Sequence, residues 1–137
     1  MRIRFAIGTL VLLAGCSSLP DPDPSQAWID LAPGQDTALH AVQVDTRDWA
    51  DRRYFEVPPG SHELTVRYQF AVTPSNIGPV EDPLWRDCQL NVTFKQFDAG
   101  QRYRLQAGNI GFRPWIKLFD ERHKLVSEGQ PAGCQST

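Results

Sequence analysis

Residues 62–72 read HELTVRYQFAV, and this stretch decides the fold. Apolar and polar side chains alternate without a break from Glu63 to Phe70. The apolar row is Leu64, Val66, Tyr68, Phe70 and Val72, and the polar row is Glu63, Thr65, Arg67 and Gln69. Because successive side chains of a β-strand point to opposite faces, a period of two predicts a strand with one face in a core and one face in solvent.

The same alternation recurs in residues 88–94 (CQLNVTF) and 102–107 (RYRLQA). Weaker strands are predicted at 27–31, 39–45, 54–57, 115–119 and 125–127. In the second of these, Val42 and Val44 are expected to share a face, and the last two are expected to form a hairpin. A short helical turn is possible at residues 45–53 (DTRDWADRR).

Turn-forming residues separate these segments. Proline and glycine clusters lie at 33–34 and 58–60, and glycines follow at 98–100 and 108–111. Short strands at this spacing predict an all-β protein, a single antiparallel β-sandwich of about seven or eight strands. Residues 73–86 hold three prolines and no alternation. They are expected to form a long loop that is functional or mobile.

The N-terminus has the layout of a secretory signal peptide. Arg2 and Arg4 precede the apolar run at residues 5–13 (FAIGTLVLL). This run is about half of the roughly 20 residues that a membrane-spanning helix needs. We therefore expect it to be removed rather than to serve as a permanent anchor.

The end of the apolar run, Leu13-Ala14-Gly15-Cys16, resembles the lipobox of bacterial lipoproteins. The resemblance implies that the Cys16 thiol carries a lipid and that the chain is cut just before it. Residues 1–15 are then a signal peptide, 16–26 a lipidated Pro/Asp-rich tether and 27–137 the β-sandwich domain. Ser17, in place of an aspartate, favours the periplasmic face of the outer membrane over the inner membrane. A signal peptide without lipid and with a chance cysteine is the alternative.

Charge excludes one class of partner. The whole chain has a formal net charge of −2, and removal of Arg2 and Arg4 makes it −4. No basic stripe or lysine block is present, so no nucleic-acid partner is expected. The membrane, reached through the lipid, and another envelope protein are the expected partners.

Two cysteines remain once Cys16 carries lipid. In the oxidising periplasm, Cys88 and Cys134 are expected to form the one disulfide that closes the sandwich. A metal or redox pair is the alternative, but the chain has no CxxC spacing and no histidine next to either cysteine.

Residues 55–66 (FEVPPGSHELTV) resemble a second bacterial pattern. In PEGA-like small envelope domains, a strand leads into a PG-x-H turn and then into an alternating strand. The segment lacks the literal Pro-Glu-Gly-Ala motif. The resemblance implies a small β-sandwich and supports the fold more than the function.

No catalytic motif stands out. His40, His62 and His123 lack the spacing of metal ligands, and no serine lies in a GxSxG elbow. The sequence therefore predicts no enzyme, no metal and no cofactor. His62 is expected to be a turn residue whose ring bonds to backbone groups.

The tryptophans offer a candidate binding surface. Trp49 and Trp85 lie outside the alternating strands, and Arg86 follows the second of them. Exposed tryptophan beside arginine is typical of interaction surfaces. The alternative is that the tryptophans cap the ends of the core.

Two functions follow. The first is a structural or adaptor module of the cell envelope. The alternative is a small ligand-binding module for a glycan or a peptidoglycan fragment. A ligand module should have a concave pocket with an aromatic lining and converging polar groups. An adaptor should have a flat apolar patch or an open strand edge.

Overall fold

The computed structural model describes residues 18–72 and 84–136. Within these residues the chain is all-β and has no helix. The ten strands are β1 (Ala27–Ala32), β2 (Ala38–Val44), β3 (Arg47–Asp48), β4 (Tyr54–Val57), β5 (Gly60–Val72), β6 (Leu84–Phe97), β7 (Arg102–Ile110), β8 (Arg113–Phe119), β9 (Leu125–Glu128) and β10 (Gln130–Ser136). The all-β class is confirmed, and the structure has more strands than the seven or eight expected.

The strands form two five-stranded sheets. The first sheet has the order β4-β1-β7-β8-β9, and the second has the order β10-β6-β5-β2-β3. Every pairing is antiparallel except that of β1 with β7, which is parallel. The purely antiparallel prediction is wrong for this pair. Gln26 accepts a hydrogen bond from Gly100, so both strands enter the sheet from the same end.

The predicted apolar rows form the core. Leu64, Val66, Tyr68 and Phe70 of β5 are all buried. The alternating apolar residues of β6 and β7 are buried in the same cluster, together with residues of β1, β4 and β8. Both sheets therefore contribute to one apolar core. The 13-residue β5 pairs along its length with β6, from Gly60 opposite Phe97 to Val72 opposite Leu84.

Thr65 departs from the expected solvent face of β5. It is only 4% exposed, and its hydroxyl donates a hydrogen bond to Asn91 Oδ1 at 2.9 Å. Since β5 lies in the middle of its sheet, Thr65 has Gln43 of β2 on one side and Asn91 of β6 on the other. Neighbouring side chains, rather than the apolar core, exclude water from this position.

The predicted face of β2 is also wrong. A β-bulge between Ala41 and Gln43 interrupts its pairing with β5. Leu39 and Ala41 are the buried positions, and Val44 packs against the core beyond the bulge. The bulge inserts one extra residue, Val42, between two paired positions. The alternation therefore changes phase there, and Val42 and Val44 do not share a face as strict alternation predicts.

No helical turn forms at residues 45–53. Asp45 and Thr46 have φ angles of 51° and 66°, and they connect β2 to the two-residue strand β3. Positive φ at both central residues is typical of the type I′ turn that joins hairpin strands. The turn therefore continues the sheet at a place where the polar sequence suggested a helix.

Cys88 and Cys134 form the predicted disulfide. They lie opposite each other in the pairing of β6 with β10. Sequence patterning missed β10 because residues 130–136 (QPAGCQS) have no alternation and contain both proline and glycine. The disulfide attaches this edge strand to the long β6.

Several sequence predictions lie outside the described residues. These are the signal peptide at 1–15, the lipid site Cys16 and most of the loop at 73–86. The last three residues of that predicted loop belong to β6, so Trp85 and Arg86 are strand residues. In the described part of the chain, no helix is long and apolar enough to cross a membrane.

Candidate functional site

The tether meets the folded domain at a defined end of the sheets. Residues 23–26 form a turn closed by the Gln26 amide on the Asp23 carbonyl, and the Asp23 amide donates to Glu56 Oε2 at 2.9 Å. The tether is thus held at its C-terminal part instead of staying extended to residue 26. We call the end of the domain that holds Gln26 and Gly100 the tether end.

The opposite end is called the distal end. It contains the last residues of β7 and the pairing of Val72 with Leu84. Because β7 has nine residues, its two ends lie roughly 27 Å apart. The turn between β1 and β2 also reaches this end, since Ala38 pairs with Gln69 on the distal half of β5.

The distal end carries large exposed hydrophobic side chains. The exposed fractions are 53% for Leu84, 51% for Trp85, 77% for Ile110 and 45% for Phe112. We call these four residues the distal apolar surface. They come from the start of β6, from the last residue of β7 and from the β7–β8 turn. The Arg86 guanidinium links the two segments, because it lies 5.3 Å from the centroid of the Phe112 ring.

An open cleft of about 970 Å³ lies beside this surface. We call it the distal cleft. Its described lining residues come from the β1–β2 turn, the start of β2, β5, β6 and β7: Gln35, Asp36, Thr37, Ala38, Gln69, Ala71, Trp85, Arg86, Asp87 and Asn109. An exposed tryptophan and several amide and charged groups therefore face the same space.

One carboxylate of the cleft is already compensated. Arg67 Nε donates to the two carboxylate oxygens of Asp87 at 2.8 and 2.9 Å. Gln69 Nε2 donates to the same carboxylate at 3.3 Å. The hydrogen bonds from Arg67 hold the pKa of the Asp87 carboxyl below its usual range. Asp87 thus stays ionised at neutral pH, and Arg67 balances its charge.

Arg86 is in a different situation. Its Nε atom is buried, and no described residue accepts a hydrogen bond from it. None of the ion pairs among the described residues involves Arg86. Its contact with the Phe112 ring orients the guanidinium without balancing its charge. The distal cleft therefore has a cation in its wall that no described carboxylate neutralises.

Trp49 does not join Trp85, contrary to the predicted binding surface. It is partly buried against the core, and its indole N–H donates to the Tyr54 carbonyl at 2.7 Å. It also lies 6.2 Å from the Phe55 ring. Trp49 thus caps the core, the alternative that the sequence left open. Of the proposed surface residues, Trp85 and Arg86 share the distal cleft and Trp49 lies elsewhere.

His62 bonds to a backbone group, as its position after the turn suggests. Its Nε2 donates to the Pro58 carbonyl at 2.8 Å. Its Nδ1 lies 2.6 Å from Asp45 Oδ2, a partner that sequence reasoning missed because it is brought in by the pairing of β2 with β5. The hydrogen bond from His62 lowers the pKa of the Asp45 carboxyl. Since both ring nitrogens are engaged, the contacts hold a turn in place.

Sequence reasoning also missed Asp36, Gln69 and Asn109 as cleft residues. No local signal marks them, since each is an ordinary polar residue of a turn or a strand. Their convergence depends on which strands are neighbours. In the part of the chain that the structure describes, no three histidine, cysteine or acidic side chains are grouped closely enough to hold a metal ion.

In comparisons with known proteins, no family model, no curated protein and no solved structure matches this chain.

Proposed function

We propose that this chain is a lipid-anchored protein of the bacterial outer membrane that faces the periplasm and acts as a structural or adaptor module. Its two sheets are proposed to pack as a β-sandwich. The apolar core shared by both sheets supports that packing, and so does the resemblance of residues 55–66 to PEGA-like domains. The lipobox-like segment supports the anchor at Cys16. No catalytic activity and no nucleic-acid partner are part of this proposal.

One observation carries the adaptor role. The distal apolar surface lies at the end of the domain opposite the tether. A lipid on Cys16 would hold the tether end towards the membrane, and the four apolar side chains would then face away from it. Exposed aromatic and aliphatic residues at one end of a domain are typical of protein contact sites. The proposed partner is therefore another envelope protein that meets the distal end.

Site-specific photo-cross-linking in cells tests this role. A photoreactive amino acid at Ile110 should capture one defined protein. The same amino acid at Leu125, which is 41% exposed and lies near the tether end, is the matched control and should not capture it. Adding Phe112→Ser to the Ile110 probe should reduce the yield, because it removes part of the apolar contact. Equal capture from both positions, or a yield that Phe112→Ser leaves unchanged, would refute the adaptor role.

The distal cleft favours a second candidate, the small ligand-binding module. The cleft is concave, contains one exposed tryptophan and gathers polar groups from four segments. Pockets of roughly 300–1,000 Å³ with this mixture are typical of small-ligand sites. A glycan or a peptidoglycan fragment is the proposed ligand class. Both functions place binding at the distal end, and their tests are independent.

A further inference from the structure

We propose that the distal cleft binds a sugar that carries a carboxylate. This inference rests on the second candidate function, and it goes further by naming the acidic group of the ligand and the residue that recognises it. Trp85 provides the stacking surface, Arg86 pairs with the carboxylate, and the β1–β2 turn receives hydroxyl groups.

Trp85 has the exposure that stacking requires. About half of its surface is open (51%), and it lines the cleft next to Ala71, its partner in the β5–β6 pairing. No described residue accepts a hydrogen bond from its indole N–H. A flat aromatic face beside a small side chain leaves room for the apolar face of a pyranose ring, and the free N–H can bond to a hydroxyl.

Arg86 gives the cleft its preference for an acid. The guanidinium is held over Phe112, its Nε is buried without a described partner, and no described carboxylate pairs with it. A planar guanidinium recognises a carboxylate through two parallel hydrogen bonds. Orientation before binding reduces the entropy lost when that pair forms. A ligand carboxylate can therefore pair with the Arg86 guanidinium, while the Asp36 carboxylate of the β1–β2 turn, unpaired among the described residues, lines another part of the cleft.

The neighbouring carboxylate does not quench Arg86. Asp87 is adjacent in sequence and lines the same cleft, but its carboxylate is engaged by Arg67, whose Nε donates to both oxygens. This pairing leaves Arg86 as the cleft cation that is open to a ligand.

The β1–β2 turn supplies the groups that would bind the sugar hydroxyls. Gln35 and Asp36 line the cleft and are exposed, and no described residue bonds to their side chains. An amide and a carboxylate together can donate to and accept from sugar hydroxyls. Asp36 stands at a φ of 58°, a conformation that aspartate tolerates better than most residues. The ligand is thus a hydroxylated ring with one acidic substituent, rather than a purely apolar acid.

Two disaccharides that differ in one group test the inference. One is N-acetylglucosamine linked to N-acetylmuramic acid, and the other is N,N′-diacetylchitobiose, which lacks the lactyl ether and its carboxylate. The full chain, purified in a sugar-free detergent, is titrated with each by isothermal titration calorimetry, which serves for every variant. In the unmodified chain the indole N–H signal of Trp85 is also followed by NMR. The acidic disaccharide should bind at least about tenfold more tightly, because hydrogen bonds to a charged partner contribute roughly 1.5–3 kcal/mol.

Arg86→Gln should remove the difference between the two sugars, and Trp85→Ala should weaken the binding of both. Arg104→Gln is the matched control. Arg104 also lies over an aromatic ring, that of Phe119, and also has a buried Nε without a described partner, but it does not line the distal cleft. This variant should keep the preference for the acid.

Each other outcome overturns a specific claim. Equal affinity for the two disaccharides would refute the acidic class while leaving a glycan module in place. Loss of the preference in Arg104→Gln as well would place recognition outside the cleft. Absence of binding by either sugar at millimolar concentration would refute both the inference and the ligand module, and the cross-linking test of the adaptor role would be unaffected.

Discussion

Thr65 lies at the centre of the second sheet, with Gln43 across one neighbouring strand and Asn91 across the other. Alternation in residues 62–72 places its side chain correctly on the face opposite Val66. Alternation does not predict that this face is covered at Thr65. Burial of an outward position depends on the side chains of adjacent strands, and those strands are distant in sequence.

Substitutions on the two faces of β5 are expected to lower the free energy of unfolding by different amounts. Val66→Ala should lower the free energy of unfolding by about 2–3 kcal/mol, because it removes buried methyl groups and leaves a cavity. Thr65→Val should lower it by about 1 kcal/mol, because Asn91 Oδ1 loses its donor. Thr93→Val, at an exposed position of β6, is the control, with an expected change below about 0.5 kcal/mol. Urea denaturation of the three variants measures this order, and a larger loss for Thr65→Val than for Val66→Ala would contradict it.

The strand that sequence patterning missed is β10. The chain reaches it from the first sheet through one glycine. Gly129 is the single residue between β9 of the first sheet and β10 of the second. Its amide donates to the Ile116 carbonyl at 3.0 Å. A Cβ at this position would lie 2.1 Å from the carbonyl oxygen of Asn91 and 2.5 Å from Ile116 Cγ2. The chain can change sheets here because this residue has no side chain.

Gly129→Ala should therefore destabilise the fold strongly. The added methyl meets backbone on one side and a core side chain on the other. We therefore expect the upper end of the usual cost of overpacking, about 3 kcal/mol. Gly34→Ala is the matched control, because its Cβ would come no closer than 3.8 Å to Thr37 Oγ1. Thermal unfolding followed by circular dichroism compares them. A melting temperature that falls no further for Gly129→Ala than for Gly34→Ala would mean that the crossing has more space than the structure shows.

At the scale of the molecule, the tether and the exposed apolar residues lie at opposite ends. The hydrogen bond between Gln26 and Gly100 holds the start of β1 beside the start of β7. The other end of β7 carries Ile110 and lies against β8. A protein anchored through its N-terminus would therefore present the distal apolar surface and the distal cleft away from the anchor.

The anchor itself is a prediction that a labelling experiment checks. Cys16→Ser should abolish the uptake of a clickable fatty acid and release the protein from membranes, because the thiol is the group that carries the lipid. Loss of two or three acyl chains removes nearly all membrane affinity, at about 0.8 kcal/mol for each buried methylene. Ser18→Ala should label normally. If the Cys16→Ser variant still takes up label and stays in the membrane fraction, the lipid site is wrong.

The sequence by itself determined part of the fold. Strict alternation in residues 63–70 and 88–94 determined the all-β class and the apolar rows that form the core, because side-chain direction in a strand depends only on position along the chain. The two cysteines left after Cys16 determined the disulfide. Only the tertiary structure decided the parallel pairing of β1 with β7, because that depends on contacts between segments about 70 residues apart.

The candidate site belongs to the tertiary structure as well. Sequence reasoning selected Trp85 and Arg86 but paired them with Trp49, which the fold uses to cap the core. Asp36 and Asn109 join the cleft only because the β1–β2 turn and the end of β7 reach the same end of the sheets. The alternation of apolar and polar residues indicates on which face of the strand a side chain lies. Strand order and register report which side chains meet, and they are set by pairing energies summed over the whole chain.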